Sequence, residues 1–390
     1  MKLKSYLLLL LTLLMALGCS SGDGNEPEEN GSENGNGEEN GSEAGVEFSC
    51  HAVSVDDMEL KLYFIDSKTT QPLEKNLSVE LGLPDAEVLN ILSEDNKLYI
   101  TSKALNTSSC DAWIKNLSNG NLLEKSNYCV GDESDIFSFR KNFATSNALY
   151  YQYLKGEFLK DIWIGLVDLE SGEKRDIFLY EGDDFGLKGL GSSDKIVIEY
   201  FKDEQTFFAI IDTQQKQLIG TINNPNKFVK SSTLLNGKLV IFYFDGSFEV
   251  YNLSSLSIEK TGNYPVNQFG KFGLFKSSGF ESQILVEAST IQPGPLSYNL
   301  ALFNIVNGEI IPLDLNEIRE QMTKAPYNVL FSGFVNGAYE IDFGKELLYV
   351  GFQYNDNGIL NGGVVTFNFD LKIEKIDYIK GKPVLIIPKS

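Results

Sequence analysis

The acidic side chains of the chain are the first candidates for chemistry. Asp183 and Asp184 stand side by side in EGDDFG, and Asp356 stands in YNDNGILNGG. Two carboxylates about 5 to 10 Å apart can cleave a glycosidic bond as acid and base. Loops rich in Asp, Asn and Gly can also bind calcium, but neither loop has the alternating spacing of a calcium loop. A solvated turn is the simpler interpretation of each.

Histidine chemistry is restricted because the chain contains one histidine, His51. A metal site made of several histidines is therefore excluded, and a serine paired with His51 would still need an acid and an oxyanion hole. The sequence has no Gly-x-Ser-x-Gly motif, no Cys-x-x-Cys pair, no phosphate loop and no dinucleotide-binding motif. We therefore predict no catalytic, cofactor-binding or metal-binding residues, and a packing or surface role for His51 on an early strand.

Trp113 and Trp163 are candidates for sugar-stacking platforms. Both lie on predicted strands in which apolar residues alternate, as in AWIKN and WIGLVD. This alternation is typical of a strand with one buried face. We therefore expect both tryptophans to pack in the core.

Repeated β-hairpins must position all of these residues. In residues 206–222, TFFAIIDTQQKQLIGTI, an apolar strand ends in an Asp, a polar turn follows, and a second strand begins. Asp and Asn suit the strand end because their side chains bond the backbone two residues on and start a turn. Seven segments share this outline, and their strands end at Asp66, Asn116, Asp168, Asp212, Asn252, Asn304 and Asn368.

The spacing of these hairpins predicts a ring of similar units. The strand-ending residues are 40 to 64 positions apart, and a further β-rich run precedes six of the seven hairpins. A four-stranded antiparallel blade cannot bury both faces alone, so blades must stack and close into a ring. Residues 47–390 allow about 49 residues for each of seven units. We predict an all-β, seven-bladed β-propeller of four-stranded antiparallel blades over residues 46–390, with two β-sandwiches as the alternative.

The end of the chain, KPVLIIPKS, contains a strand at residues 384–387 that no hairpin uses. The first unit lacks a strand, so we predict that this C-terminal strand completes the first blade and closes the ring. A frayed terminus is the alternative, but exposing four apolar residues would be costly.

One helix is predicted, at residues 314–324, with Asp314 or Asn316 as its N-cap. It lies between the sixth and seventh units and is either a plain connector or an insertion on one face of the ring that binds a ligand. Long loops are expected at residues 289–297 and 354–363.

The segment AIIDTQQKQLIGTI resembles the repeats of surface-layer and quinoprotein-like β-propellers, which share an apolar pair, an Asp, a polar turn and another apolar run. The resemblance implies the propeller fold. Pyrroloquinoline quinone enzymes that resemble this pattern carry a Trp after the turn of each blade, and none of the seven hairpins has one. We therefore expect no quinone and no other cofactor.

The N-terminus predicts export. Two lysines precede a twelve-residue apolar run, residues 6–17, which is too short for a bilayer span of about 20 residues. Residues 1–18 are therefore interpreted as a signal peptide. The junction ALGC resembles a bacterial lipobox with its Leu and small residue exchanged, which implies lipidation of Cys19. Ordinary secretion with a free Cys19 is the alternative.

Residues 19–45 are predicted to be the lipidated cysteine and a disordered acidic tether. Residues 20–45 contain eight acids, no Lys or Arg, and little besides Gly, Asn and Ser. Acids soon after Cys19 resemble the export signals of Bacteroidetes surface lipoproteins, which implies an outer-membrane protein exposed at the cell surface. A periplasm-facing spacer is the alternative.

Net charge limits the partners. The formal charge is −21, of which −15 falls on residues 47–390. Such a surface repels nucleic acid and anionic headgroups, so we expect no nucleic acid and contact with the bilayer only through acylated Cys19. Lys227 and Lys230 form a small basic group, which we interpret as a solvated loop.

Two cysteines predict a disulfide. Cys110 and Cys129 flank the second hairpin, whose Asn119-Gly120 pair predicts a type I′ turn. Strands paired about that turn place the two cysteines opposite one another, at the wider, hydrogen-bonded kind of site. The bridge would add about 3 kcal/mol for a loop of about 20 residues and indicates an oxidising compartment. Cys50 is expected to be a small buried hydrophobe.

Two functions from different classes follow. The first is a membrane-anchored extracytoplasmic lipoprotein whose propeller binds a protein or glycan partner. The alternative is an extracellular polysaccharide hydrolase or lyase that uses carboxylates on one face of the ring.

Overall fold

The structure, a computed structural model of the 390-residue chain, describes residues 46–86, 89–94, 96–102, 110–126, 128, 138–145, 148–155, 160–182, 188–191, 194–264, 275–277, 282–289 and 298–389. In this part of the chain, 28 strands form seven four-stranded sheets, and every hydrogen-bonded pair is antiparallel. The seven-bladed propeller is therefore confirmed. The signal peptide, Cys19 and the tether lie outside the described residues and stay predictions.

Four strands follow one another in each blade, from the axis of the ring to its rim. From the innermost strand outward, blade 1 contains β28 (Lys382–Pro388), β1 (Ser49–Asp56), β2 (Glu59–Asp66) and β3 (Leu73–Asn76). Blade 2 contains β4 (Leu89–Glu94), β5 (Lys97–Ser102), β6 (Ala112–Asn116) and β7 (Leu122–Lys125). Blade 3 contains β8 (Ser138–Ala144), β9 (Ala148–Lys155), β10 (Asp161–Asp168) and β11 (Lys174–Glu181).

The remaining blades follow the same order. Blade 4 contains β12 (Lys188–Gly191), β13 (Lys195–Lys202), β14 (Gln205–Asp212) and β15 (Gln217–Asn223). Blade 5 contains β16 (Val229–Leu235), β17 (Lys238–Tyr243), β18 (Ser247–Asn252) and β19 (Ser257–Asn263). Blade 6 contains β20 (Phe275–Ser277), β21 (Gln283–Ser289), β22 (Tyr298–Asn304) and β23 (Ile310–Leu313). Blade 7 contains β24 (Phe331–Asp342), β25 (Leu347–Asp356), β26 (Ile359–Asn368) and β27 (Ile373–Ile379).

Apolar layers between neighbouring blades hold the ring together. Each of the seven pairs of adjacent blades, including blades 7 and 1, shares a cluster of buried apolar side chains. Between blades 5 and 6, for example, Phe303 packs edge-on against Phe242 and Phe248, with ring centroids 5.9 and 5.7 Å away. Because a layer lies at every junction, each blade buries both of its faces.

The C-terminal strand closes the ring as predicted. β28 pairs antiparallel with β1, so that Ala52 lies opposite Ile386. The turn that leads into β28 is fixed by Ser54, whose Oγ donates to the carbonyl of Lys380 at 2.7 Å. Gly381 has φ +74°, and a Cβ there would lie 2.3 Å from a backbone carbonyl oxygen of β1. The closing turn therefore requires glycine.

Two helices occur in the described residues, α1 (Leu77–Leu81) and α2 (Leu315–Thr323). The predicted helix is α2, and Asp314 is its N-cap because Asp314 Oδ1 accepts from the backbone N of Asn316 at 2.8 Å. Its apolar side, Leu315, Ile318 and Met322, is buried in the layer between blades 6 and 7. The helix therefore fills the junction between two blades. None of the described helices is long and apolar enough to cross a bilayer.

The second helix, α1, was not predicted. Asn76 caps its start by accepting from the backbone N of Val79 at 3.0 Å, and Gly82 ends it in the left-handed conformation with φ +63°. An Asn followed six residues later by a Gly is a helix signal. The five-residue length of the helix made the apolar period too short to recognise.

Two expected turns differ in the structure. In blade 2, Ala112 lies opposite Lys125, two residues away from the register that a type I′ turn at Asn119-Gly120 would give. The turn spans residues 117–120, because Asn116 Oδ1 accepts from the backbone N of Ser118 and Asn119 at 2.9 and 3.2 Å. The predicted type I′ turn is therefore wrong.

The expected long loop at residues 354–363 is also wrong. β25 and β26 continue through this segment and meet at Asn357-Gly358, whose φ values are +51° and +90°. Both values belong to a type I′ hairpin turn, which Asn-Gly favours. The Asn-Gly pair in the sequence was the signal for this turn.

Candidate functional site

All seven strand-ending Asp and Asn residues start turns as predicted. Asp212 Oδ1 accepts from the backbone N of Gln214 and Gln215 at 2.9 and 2.7 Å. The other six side chains accept backbone N–H groups two to four residues further on at 2.7 to 3.4 Å, and they belong to Asp66, Asn116, Asp168, Asn252, Asn304 and Asn368. These bonds therefore occupy backbone N–H groups of all seven turns.

The seven turns lie on one face of the ring. Neighbouring strands of each blade are antiparallel, so the first and third strands run in the same direction. Every turn from a third to a fourth strand therefore projects from the same face, which we call the turn face. It is built from short turns and has grooves between neighbouring blades.

A cleft of about 620 Å³ lies on the turn face across blades 2, 3 and 4. We call it the turn-face cleft. It falls in the range of small-molecule sites, about 300 to 1,000 Å³. Its lining residues are Lys97, Ile114, Asn116, Asn121, Leu122, Leu123, Asp168, Leu169, Glu170, Thr213, Gln214 and Lys216.

The turn-face cleft combines apolar surface with neutral hydrogen-bonding groups. Leu122 and Leu123 on β7 remain 40% and 39% exposed, although the outer strand of a sheet usually presents polar groups to solvent. The side chains of Asn121 and Gln214 are exposed at its rim. Amides beside apolar side chains can bind a ligand that has both hydroxyl groups and C–H faces.

Lys216 and Asp168, two charged residues that line the turn-face cleft, are already paired with each other. Lys216 Nζ lies 2.7 Å from Glu173 Oε2 and 3.4 Å from Asp168 Oδ2, and it joins the turns of blades 4 and 3. Hydrogen bonds from the backbone N and the hydroxyl of Ser171, together with Lys216, lower the pKa of Asp168. A carboxyl with a lowered pKa is ionised at neutral pH and cannot serve as a general acid there. The arrangement therefore suits binding better than proton transfer.

Side chains from one blade also bind the turn carbonyls of the next. Lys375 Nζ donates to the carbonyl of Asp66 at 2.7 Å, and Lys260 Nζ donates to that of Val306 at 2.9 Å. Arg175 Nη1 reaches the carbonyl of residue 215 at 3.0 Å. Sequence reasoning missed these contacts, because the donor and acceptor are 40 or more positions apart and no local pattern links them.

A buried carboxylate lies in blade 5, away from the turn face. Glu249 is 4% exposed and accepts from the hydroxyls of Tyr243 and Tyr251 at 2.6 and 2.7 Å and from Lys227 Nζ at 2.9 Å. Burial alone would raise the pKa of Glu249, but the donors outweigh it and hold the pKa below its usual value. Lys227 is therefore an ion-pair partner, and its interpretation as a solvated loop residue was wrong. Burial lowers the pKa of Lys230, which is half-buried.

Of the three candidate acids of the sequence, Asp356 is among the described residues. Asp183 and Asp184 lie outside the described residues. Asp356 is exposed beside the tight turn of blade 7, where its Oδ1 accepts from Asn357 Nδ2 at 2.9 Å. Within the described residues, no three His, Cys, Asp or Glu side chains come together as a possible metal site.

The two tryptophans pack against apolar layers. Trp113 contacts the layer between blades 1 and 2, and Trp163 contacts the layer between blades 2 and 3. The ring of Trp163 stacks on Tyr153 with centroids 6.4 Å apart and meets Phe178 edge-on at 5.2 Å. Core packing therefore accounts for both.

The two described cysteines lie in different blades. Cys50 is a free thiol, fully buried between blades 7 and 1, as expected for a small hydrophobe. Cys110 is also buried, and its carbonyl accepts from the backbone N of Tyr128 at 2.9 Å. Cys129 lies outside the described residues, so its bridge to Cys110 stays a prediction, now without the type I′ register that motivated it.

We compared the chain with family models, curated proteins and solved structures. No family model matches the chain, and no curated protein matches it. The chain is similar to the β-propeller domain of the Trilobed protease from Pyrococcus furiosus, with 14% identity and a TM-score of 0.45 over 75% of this chain and 84% of that one. It is also similar to a proposed 6-phosphogluconolactonase from Bacteroides fragilis, with 11% identity and a TM-score of 0.48 over 90% and 99% of the two chains.

Proposed function

We propose that the chain is a lipid-anchored extracytoplasmic protein whose propeller binds a glycan in the turn-face cleft. The observation that carries the proposal is the cleft itself, in which exposed amides and exposed leucines line about 620 Å³ on a rigid ring. The predicted signal peptide, the acylated Cys19 and the acidic tether support the location, since they would hold the ring outside the cytoplasm.

A glycan fits the cleft better than a protein surface does. A stable protein interface buries about 800 Å² on each partner and is usually broad and flat. The turn-face cleft is concave and bounded by three turns, and its neutral donors and acceptors match sugar hydroxyls. Catalysis has less support, because Asp168 has a lowered pKa and a glycosidase acid needs a raised one.

Binding to an array of neutral and acidic oligosaccharides, followed by calorimetry with the strongest ligand, tests the proposal. We expect Asn121→Ala and Gln214→Ala each to weaken binding at least tenfold, about 1.4 kcal/mol. Asn263→Ala is the matched control, because Asn263 is an exposed amide at the end of β19 in blade 5. Retention of no oligosaccharide, or full binding by both cleft variants, would contradict the proposal, as would a ligand that proves to be a protein.

A further inference from the structure

A second cavity on the turn face has the opposite charge to the rest of the protein. It measures about 400 Å³ and lies between blades 1 and 2. We call it the basic pocket. Three lysines and the single histidine line it, and no Asp or Glu does so among the described residues. This is unexpected in a ring whose sequence carries a formal charge of −15.

The register of blade 1 brings the pocket residues onto one face. His51 on β1 lies opposite Phe64 on β2, and Phe64 lies opposite Leu73 on β3. One step along, Leu62 lies opposite Lys75. Directly opposed residues share a face, as do residues two apart on a strand. The wall formed by blade 1 therefore has an apolar surface with a cation at its outer edge.

The C-terminal strand contributes the other cation. The backbone N of Lys389 donates to the carbonyl of Ser49 at 2.9 Å, which continues the pairing of β28 with β1. The Nζ of Lys389 lies 5.5 Å from the ring centroid of Phe64, and the ring of His51 lies 5.4 Å from the same ring. Ring closure thus completes the pocket.

Two of the three ammonium groups are available for a ligand. Lys115 Nζ is paired with Glu80 Oε1 at 2.7 Å. Lys75 and Lys389 form no ion pair with a carboxylate in the described part of the chain. Burial, and then the charges of Lys389 and Lys75, lower the pKa of His51 to about 4. The imidazole is therefore neutral at pH 7 and can donate or accept a hydrogen bond.

The backbone N–H groups of the opposite wall are already hydrogen-bonded, so they do not bind an anion. It is the turn at residues 117–120 of blade 2, whose N–H groups at Ser118 and Asn119 already donate to Asn116 Oδ1. The N–H of Gly120 donates to the carbonyl of Asn116 at 2.8 Å. Recognition of an anion must therefore come from the two lysines and the histidine.

We propose that the basic pocket binds an acidic sugar, a hexuronate, through its carboxylate. The two free ammonium groups pair with the carboxylate, as charge-assisted bonds do in anion sites. The C–H face of the sugar ring packs on Phe64, Leu62 and Leu73. The pocket volume suits one sugar unit. The pocket shares Asn116 with the turn-face cleft but none of the residues tested by substitution, so each proposal can fail without the other.

Nuclear magnetic resonance of the full chain carrying ¹³C-labelled histidine tests the proposal, because His51 gives a single Cε1–H signal. We expect sodium glucuronate to shift this signal saturably and to raise the pKa of His51, whereas glucose leaves both unchanged. The other charged groups at the pocket are Lys75, Lys389 and the Lys115–Glu80 pair.

The variants Lys75→Gln and Lys389→Gln should each weaken glucuronate binding at least tenfold. Lys372→Gln is the matched control, since Lys372 is an exposed lysine of the turn face in blade 7. Three results would overturn the proposal: no saturable shift up to tens of millimolar glucuronate, an equal shift with glucose, or unchanged affinity in both pocket variants. Binding of sulfate but not of glucuronate would overturn the role of the apolar wall.

Discussion

Replacing Glu249 by Gln should destabilise the ring by about 3 kcal/mol. The carboxylate accepts from Tyr243, Tyr251 and Lys227 at 2.6 to 2.9 Å, and a fourth donor, Asn224 Nδ2, lies further away at 3.2 and 3.4 Å, so the estimate uses the three short bonds. A hydrogen bond to a charged group contributes about 1.5 to 3 kcal/mol and a neutral one about 0.5 to 1.5, so each donor loses about 1 kcal/mol. Glutamine has nearly the same size as glutamate, so the substitution opens no cavity and no further loss of stability is expected from packing.

The thermal melting temperature measures this loss. Unfolding entropy is about 2.1 cal/mol/K per residue, so a ring of about 340 residues loses about 4 °C for 3 kcal/mol. The control is Glu124→Gln, because Glu124 is exposed on β7. It removes the same charge from a solvated site, where surface changes are usually within about 0.5 kcal/mol.

The pH dependence gives a second measurement of the same interaction. The pKa of Glu249 is lowered in the folded protein. Its contribution is therefore fully present above the unfolded value, about 4.3, and is lost as the pH falls through the folded pKa. The gap in melting temperature between the wild type and Glu249→Gln should shrink below about pH 4. A melting temperature for Glu249→Gln equal to that of the control, or a gap that is unchanged at low pH, would refute this reasoning.

Three further predictions follow from single positions. Gly363→Ala should lower the free energy of unfolding, measured by urea denaturation, by about 1 to 3 kcal/mol, because the added Cβ would lie 2.3 Å from the ring of Phe352. Gly333→Ala is the control and should be nearly neutral, because nothing lies within 4 Å of a Cβ at that position. Cys110→Ser and Cys129→Ser should each lower the free energy of unfolding by about 3 kcal/mol, and the double variant should lower it no further, because either change breaks the same disulfide. An intact mass that is the same with and without reductant before alkylation would contradict the bridge. Cys19→Ala should abolish incorporation of labelled fatty acid, and equal labelling of this variant would contradict lipidation at that residue.

The parts of the fold that depend on residues close together in the sequence were predictable. The seven strand ends from Asp66 to Asn368 were found because an Asp or Asn, a polar turn and two apolar strands all occur within one short window. The closing strand was found because four apolar residues at 384–387 had no other partner. The turn of blade 2 was missed because the side chain of Asn116 binds two N–H groups of the turn and outweighs the local preference of Asn119-Gly120.

The candidate sites could not be predicted from the sequence. Lys389 approaches His51 because β28 pairs with β1, whereas Lys75 approaches it from β3, which pairs with β2 in the same blade, and no local motif marks either contact. The turn-face cleft depends on residues from three blades, none of which forms a motif with its own neighbours. Lys227 looked solvated because its partner Glu249 lies 22 positions away on another strand.

The pairing of β28 with β1 also decides when the protein can fold. Blade 1 needs residues 382–388 as its innermost strand, yet the ribosome makes its other three strands first. Until residues 382–388 have been made, the chain therefore holds an unfinished first sheet whose inner edge is unpaired. Of the seven blades, the one that begins the ring therefore gains its full set of strands after the other six.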